Sequence, residues 1–342
     1  MPLPERPLFP PALKTGDTIG FFSASSPATI TAPNRYLRGT KFLEDKGFVL
    51  KPGAMTGQYD HYRSGSIQAR AEELNQLIRD PQVRCVMSTI GGNNTNSVLP
   101  YLDYDALRAD PKIIIGYSDT TALLAGIYAQ TGLVTFYGPA LVASFGEFPP
   151  LVDETYASFA DILMPRNRDK PYRYALPHYW TDEKLNWNDI TPVRAKTLYA
   201  NSCRFLGKGR VEGRVIGGNL NTLSGIWGSP YMPEIRYGDI LFIEDSLKDI
   251  ATVERSFSML KLNGIFDRVS AILLGKHELF DDAGSGRQPA DVLLEVLNGQ
   301  DIPLVDGFDC CHTHPMLTLP LGVRIAVDFS EQHIELVGPY LR

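Results

Sequence analysis

Between residues 18 and 130, short apolar runs of β type alternate with stretches of helical period, and this alternation restricts the fold more than any other feature. Thr18–Ser23 reads as a buried strand ending in the small-residue turn Ala24-Ser25-Ser26-Pro27. Tyr36–Asp45 has helical spacing, and Phe48–Lys51 is a short strand. Ile67–Arg79 sets Ala71, Leu74, Leu77 and Ile78 at helical spacing among charges, the pattern of an amphipathic helix. Cys85–Ile90 and Lys112–Ile115 are further strands, and Thr120–Gln130 is a further helix. Strands alternating with helices predict a mainly parallel sheet with helices on both faces. In such sheets ligands bind beyond the C-terminal strand ends.

From about Phe148 to Asn201 no period is sustained, and Pro, Tyr, Trp and Asp are abundant. This reads as a long, structured connection, and loops of that length in compact proteins are often functional. From Gly209 a second series begins. Val211–Ile216, Ile240–Ile243, Ala271–Leu274, Leu304–Val305 and Val323–Asp328 read as strands, with a helix near Ile250–Leu262. A chain of 342 residues exceeds the usual single core, so two domains are expected. The predicted division is an N-terminal α/β domain over 1–165, a linker and substrate loop over 166–208, and a smaller β-rich C-terminal α/β domain over 209–342.

A net charge of −6 without any Lys/Arg cluster argues against a nucleic-acid polymer as partner. No apolar run approaches the roughly 20 residues of a membrane span. The opening Met-Pro-Leu-Pro-Glu-Arg-Pro lacks the basic and apolar regions of a secretory signal. The 4 Cys give no disulfide framework, which fits a reducing cytoplasm.

The sharpest local signal is Ile113-Ile114-Ile115-Gly116-Tyr117-Ser118-Asp119, leading straight into a helix-type run. A strand ending in Gly-x-Ser before a helix resembles a nucleophile elbow, although Thr120 replaces the second Gly of the full motif. Such a turn lifts the hydroxyl clear of the sheet beside free helix N–H groups, which can hold an oxyanion. The alternative is a plain helix N-cap. Gly91-Gly92-Asn93-Asn94 also follows a strand and is a candidate second oxyanion donor.

A serine nucleophile needs a base and an orienting acid. Of the 6 His, His312 and His314 lie in Asp309-Cys310-Cys311-His312-Thr313-His314-Pro315. Adjacent cysteines and a His-x-His pair lack structural-zinc spacing, so no metal is expected. Cys310 or Cys311 as the nucleophile stays open. Ile240-Leu241-Phe242-Ile243-Glu244-Asp245 is an apolar strand ending in two carboxylates, either a solvated turn or acids of a site, with Glu244 the better candidate as the first residue past the apolar run.

Together these motifs resemble the LD-carboxypeptidase family of serine peptidases, and within it the microcin C immunity branch. The resemblance runs over nearly the whole chain. It includes Lys14–Gly20, Arg70–Asn75, Gly91–Asn94, Gly116–Asp119, Gly217–Leu220, Ile243–Asp245 and His312–Pro315 with Leu319–Gly322. It implies Ser118 as nucleophile, His312 as base and Glu244 as acid, with no cofactor. The oxyanion hole would be the N–H groups of Asp119 and of the Gly91-Gly92 turn. The sequence Ile90-Gly91-Gly92-Asn93-Asn94 looks like the immunity branch, where a loop Trp stacks on a nucleobase; Trp187 matches that position. Asn219, Asn221 and Lys248 match substrate-side positions. The implied substrate is an aminoacyl- or peptidyl-nucleotide, with a murein tetrapeptide as the alternative. A homodimer is also implied.

Overall fold

A computed structural model describes residues 7–165 and 170–342. Residues 1–6 of the expected first domain and 166–169, where the linker was expected to begin, lie outside the described residues.

The first half supplies strands β1 (Thr18–Phe22), β2 (Val49–Pro52), β3 (Val83–Ser88), β4 (Ile113–Gly116) and β5 (Thr135–Tyr137). Between and after them come helices α1 (Ala28–Thr31), α2 (Pro33–Asp45), α3 (Ile67–Arg79), α4 (Tyr104–Ala109), α5 (Thr121–Thr131) and α6 (Leu151–Leu163). The connection that follows holds four short strands: β6 (Tyr172–Arg173), β7 (Tyr179–Trp180), β8 (Tyr199–Ala200) and β9 (Arg204–Leu206). Next come β10 (Arg210–Asn219), α7 (Leu220–Ser224), β11 (Ile240–Glu244), α8 (Ile250–Leu262), β12 (Ala271–Gly275), α9 (Pro289–Leu297) and β13 (Leu304–Phe308). The chain closes with β14 (Leu319–Leu321), β15 (Arg324–Asp328) and β16 (His333–Leu336).

Two large sheets form a mixed α/β fold. One is ordered β14-β5-β4-β3-β1-β2, with β1 to β5 parallel and β14 antiparallel to β5. The other is ordered β6-β16-β15-β10-β11-β12-β13-β9, with β10 to β13 parallel and antiparallel strands at both margins. The sheets share a core. Ile19, Val86 and Ile114 of the first belong to the same apolar cluster as Ile240, Phe242 and Leu273 of the second. Leu241 and Ile243 face the other way, onto Val253 and Phe257 of α8. Alternate residues of a strand point to opposite faces, so one strand serves two cores.

Residues 151–163 correct the aperiodic reading of the long connection: they form α6. Its buried face includes Thr155 and Ser158, and these hydroxyls interrupt the apolar period. Both are used. They accept the N–H groups of Met316 (3.0 Å) and Thr318 (3.0 Å), fixing the segment just after His312.

Gly217 lets β10 lie close to β11 within the second sheet, and Gly218 brings that sheet against the first half of the chain. Their φ values of 142° and 144° lie where only glycine is at ease. A Cβ on Gly218 would meet the Thr121 side chain at the start of α5, 2.5 Å away. On Gly217 it would fall 1.7 Å from the Phe242 carbonyl oxygen. Gly217→Ala should therefore destabilise the protein by about 2–4 kcal/mol, through backbone strain and overpacking. Thermal unfolding checks this, and an unchanged midpoint would contradict it.

Candidate active site

Strand β4 stops at Gly116, Ser118–Thr120 make one 3₁₀ turn, and α5 follows. Ser118 sits at the crest with φ 60°, an unusual value for a residue with a side chain and one found at functional turns. The turn is pinned from two sides. The Ser118 N–H donates to the Tyr137 hydroxyl (3.2 Å), which donates to Glu244 Oε1 (2.5 Å). The buried Asp119 carboxylate accepts the Asn94 N–H, the Thr95 N–H and the Thr95 hydroxyl at 2.7–2.9 Å. The elbow is thereby tied to the turn containing Gly91. A Cβ on Gly91 would lie 2.7 Å from Ser118 Cβ and 3.1 Å from the Asp119 nitrogen, so the glycine lets backbone close over the hydroxyl.

His312 Nδ1 meets Glu244 Oε2 at 2.6 Å. Glu244 is fully buried, and Tyr137 and Asn219 Nδ2 (3.0 Å) satisfy its other oxygen. The Tyr117 ring packs edge-on against His312 at 4.8 Å. His312 Nε2, the ring nitrogen turned away from Glu244, is buried and has no hydrogen-bond partner among the described residues. Burial opposes charge on His312, but the Glu244 charge and hydrogen bond outweigh it and raise the imidazole pKa above its usual value. Burial opposes charge on Glu244 too, yet His312 leads the groups that hold its pKa low. Glu244, the carboxylate preferred from the sequence, is the one that meets the His312 ring. Asp245 turns instead to Asn219 and the Ser246 and Asn221 N–H groups.

Ser118 and His312 line a cavity of about 220 Å³ together with Gly91, Gly92 and Trp187. Trp187 lies in the long connection, which is stapled down at several points. Asn34 Nδ2 donates to the Asn188 carbonyl (2.6 Å), Arg38 Nη1 to that of Asp189 (3.0 Å), and Thr181 exchanges backbone bonds with His314. The Arg35 guanidinium stacks on the Trp187 ring, 4.3 Å from its centroid. Arg35 also pairs with buried Glu147 (2.9 Å), which takes Lys196 of the same loop (2.7 Å). Burial would raise the Glu147 pKa, but Arg35 and Lys196 help bring it down to about 2. His314 faces this cluster; burial dominates and lowers its pKa to about 3, so it stays neutral.

Other expected residues fall behind or beside the cavity. Asn219 is buried, with its amide on Glu244 and Asp245 and its oxygen capping α7. Asn221 is exposed, and Lys248 stands half-buried 3.9 Å from Asp245. Trp180 packs on Tyr199, away from the cavity lining. Burial pushes both thiols up, Cys311 to about 12, and Cys310 Sγ donates to the Tyr137 carbonyl (3.5 Å); neither suits a nucleophile. No group of three or more His, Cys, Asp or Glu is gathered for a metal among the described residues. Arg35, Lys184, Lys196 and Glu278 line the cavity without having been singled out from the sequence. For two of them a signal existed. Arg35 shares the i, i+4, i+8 stripe of Gly39 and Leu43 on α2, and Glu278 closely follows an apolar strand, as Glu244 ends one.

Residues 19–138 match the LD-carboxypeptidase N-terminal domain and residues 212–327 the LD-carboxypeptidase C-terminal domain. The chain belongs to the LD-carboxypeptidase family. It is a serine peptidase of that family, and it is 64% identical over 341 residues to the microcin C7 self-immunity protein MccF of Escherichia coli, covering 100% of this chain and 99% of that one. A solved structure of MccF with aspartyl sulfamoyl adenosine superposes with a TM-score of 0.97 at 65% identity, over 98% of this chain and 100% of that one. Another holds glutamyl sulfamoyl guanosine. The murein tetrapeptide carboxypeptidase of Pseudomonas aeruginosa is 28% identical over 73% of this chain and 74% of its own.

The raised His312 pKa sharpens the expected pH dependence. With neutral His312 as the expected base, kcat/KM should fall on the acid side through a midpoint above the ordinary value of about 6.5. Glu244→Gln removes the charge that raises it while burial persists. The midpoint should then move to lower pH, and the plateau should drop roughly 10²–10⁴-fold. A pH profile with an unmoved midpoint would remove Glu244 from this role.

Proposed function

We propose that this protein hydrolyses the acyl–nitrogen bond of aminoacyl- or peptidyl-nucleotides, with Ser118 as nucleophile, His312 as general base and Glu244 as orienting acid. The observation that carries the reading is the 2.6 Å contact of His312 with buried Glu244, behind the cavity that Ser118 shares with Trp187. His312 Nε2 takes the Ser118 proton as the oxygen attacks the acyl carbon. Glu244 stabilises the imidazolium without accepting its proton. The Asp119 N–H and the Gly91-Gly92 turn hold the oxyanion, because the Ser118 N–H is engaged by Tyr137. His312 then protonates the departing nitrogen, and water releases the acyl group by the same route.

The nucleotide part of the reading rests on Trp187 and on MccF. Arg35 backs the indole ring, and solved structures of MccF contain aminoacyl sulfamoyl nucleosides. A Trp-to-Phe mutant of MccF binds adenosine monophosphate, and an active-site mutant carries alanine at a Ser, an Asn and a Lys. The same residue types stand here at Ser118, Asn221 and Lys248. We count Asn221 and Lys248 as substrate-side residues on that basis, Lys248 following Ser246 and Leu247 of the cavity wall; Asn219, expected on the substrate side, instead spends its amide on Glu244 and Asp245 and its oxygen on α7. The division into domains at 1–165 and 209–342, joined by 166–208, is part of the same reading. So are a homodimer, tested by sedimentation, and a cytoplasmic location; no helix among the described residues is long and apolar enough to cross a membrane.

The experiment is to offer aspartyl sulfamoyl adenosine, a murein tetrapeptide and a small amide lacking a base to wild type, Ser118→Ala and Trp187→Ala. Ser118→Ala should lose several orders of magnitude on every substrate that is cleaved. Trp187→Ala should lose roughly 5- to 150-fold in kcat/KM on the nucleotide compound alone, the worth of a base–aromatic stack of about 1–3 kcal/mol. Preferential cleavage of the tetrapeptide, or equal Trp187 losses on all substrates, would favour murein trimming instead.

A further inference from the structure

Glu278 stands near the reaction centre without an evident structural task. The chain brings it there through two neighbouring strand ends. Leu247, just past β11, donates its N–H to the Glu278 carbonyl (2.8 Å), and Ser246 bridges to the same residue beyond β12. Glu278 thus lies one strand over from Glu244 and lines the cavity that holds Ser118 and His312.

Its surroundings distinguish it from every other carboxylate buried among the described residues. Each of those takes at least two hydrogen bonds from fixed groups of the protein, as Glu73 does from the Ser23 and Met55 N–H groups and Asp309 does from Asn201 and Lys276. Glu278 is only 7% exposed, and among the described residues its carboxylate has one partner, Lys184 Nζ at 3.3 Å. Lys184 is a half-exposed side chain of the long connection, with rotatable bonds to spare. A carboxylate drawn out of water and met by one mobile cation gains from a second cation entering the cavity. Burial accordingly raises its pKa, opposed by His312 and Lys184.

The substrate class supplies such a cation. In an aminoacyl-nucleotide the α-ammonium is one carbon away from the acyl carbon that Ser118 attacks. We propose that the Glu278 carboxylate recognises the free α-ammonium group of an aminoacyl-nucleotide substrate, an inference that rests on the function proposed above. Lys184 neutralises Glu278 until the ammonium arrives. The residue acts on substrate choice: an acyl group bearing a free amine is favoured over one in which that nitrogen is missing.

The test uses aspartyl sulfamoyl adenosine and its desamino counterpart, in which hydrogen replaces the ammonium. Dissociation constants are measured by calorimetry in the Ser118→Ala protein, and kcat/KM in wild type, Glu278→Gln and Lys184→Met. The free-amine compound should bind at least tenfold tighter, about 1.4 kcal/mol. Adding Glu278→Gln should erase that preference by weakening the free-amine compound alone, and kcat/KM should follow. Lys184→Met should retain the preference. Equal affinity of Ser118→Ala for the two compounds, or equal losses on both in Glu278→Gln, would overturn the role of Glu278. Loss of the preference in Lys184→Met as well would reduce Glu278 to an anchor for the loop. Failure of the underlying function would look different: wild type would leave the free-amine compound uncleaved, while the two dissociation constants would still decide on Glu278.

Discussion

Glu244 is fully buried, and a carboxylate in that position costs several kcal/mol unless donors within the chain replace the water it has lost. Its donors come from three separated places. Tyr137 ends β5 of the first sheet, Asn219 ends β10 of the second, and His312 comes from the segment before β14. Satisfying one acid therefore requires both sheets to meet at the correct distance. Gly218, against Thr121, allows that approach, and the shared core around Phe242 holds it. The Tyr137 hydroxyl has a second duty, because the nitrogen of Ser118 donates to it. Ser118 and Glu244 are thus registered through a single phenolic oxygen, which explains how residues from two sheets keep a common geometry without touching.

A similar economy governs the cavity wall. Glu147 is buried by pairing with Arg35 on one side and Lys196 on the other. Arg35 belongs to α2, and Lys196 to the long connection, so this ion cluster fastens the loop against the first half of the chain. The guanidinium plane then supports the Trp187 indole from beneath. A loop carrying a stacking surface would otherwise be free to drift, and its ring would lose orientation at an entropic cost on binding. The wall also carries Glu278, so opposite charges line one small space. An enclosure of that kind favours ligands with both signs of charge arranged in a matching order.

Much of this was legible in the chain because strands buried on both faces read as unbroken apolar runs. Ile113–Ile115 and Ile240–Ile243 announced both themselves and the polar residues at their ends. Helix α8 was equally plain, starting after Asp249, whose side chain caps the Thr252 N–H at 2.7 Å. Helix α6 was hidden because Thr155 and Ser158 on its inner face serve as acceptors for distant N–H groups, a purpose that local spacing cannot reveal. Arg35 showed only as a place on the inner stripe of α2, and its partner Glu147 not at all. An ion pair spanning more than a hundred residues of sequence leaves no local sign that its two members meet. Glu278 escaped because Lys276 and His277 separate it from its strand, whereas Glu244 follows Ile243 directly. The sequence pointed to groups at strand ends; the groups that orient them depend on tertiary contacts.

Strand β14 comes after every other member of the first sheet in chain order, and the parallel strands of the second sheet intervene between it and β5. Until residues 319–321 arrive, Thr135–Tyr137 are an open edge, and no base stands near Ser118. A growing polypeptide therefore carries Ser118 for most of its synthesis without the proposed base. The strand that closes the edge follows His312 by only a few residues, so the cover for that edge and the proposed base both lie in the same late stretch of chain. Any product broken off before residue 312 would keep the exposed edge and be chemically silent, a species recognisable by its stickiness rather than by stray hydrolysis.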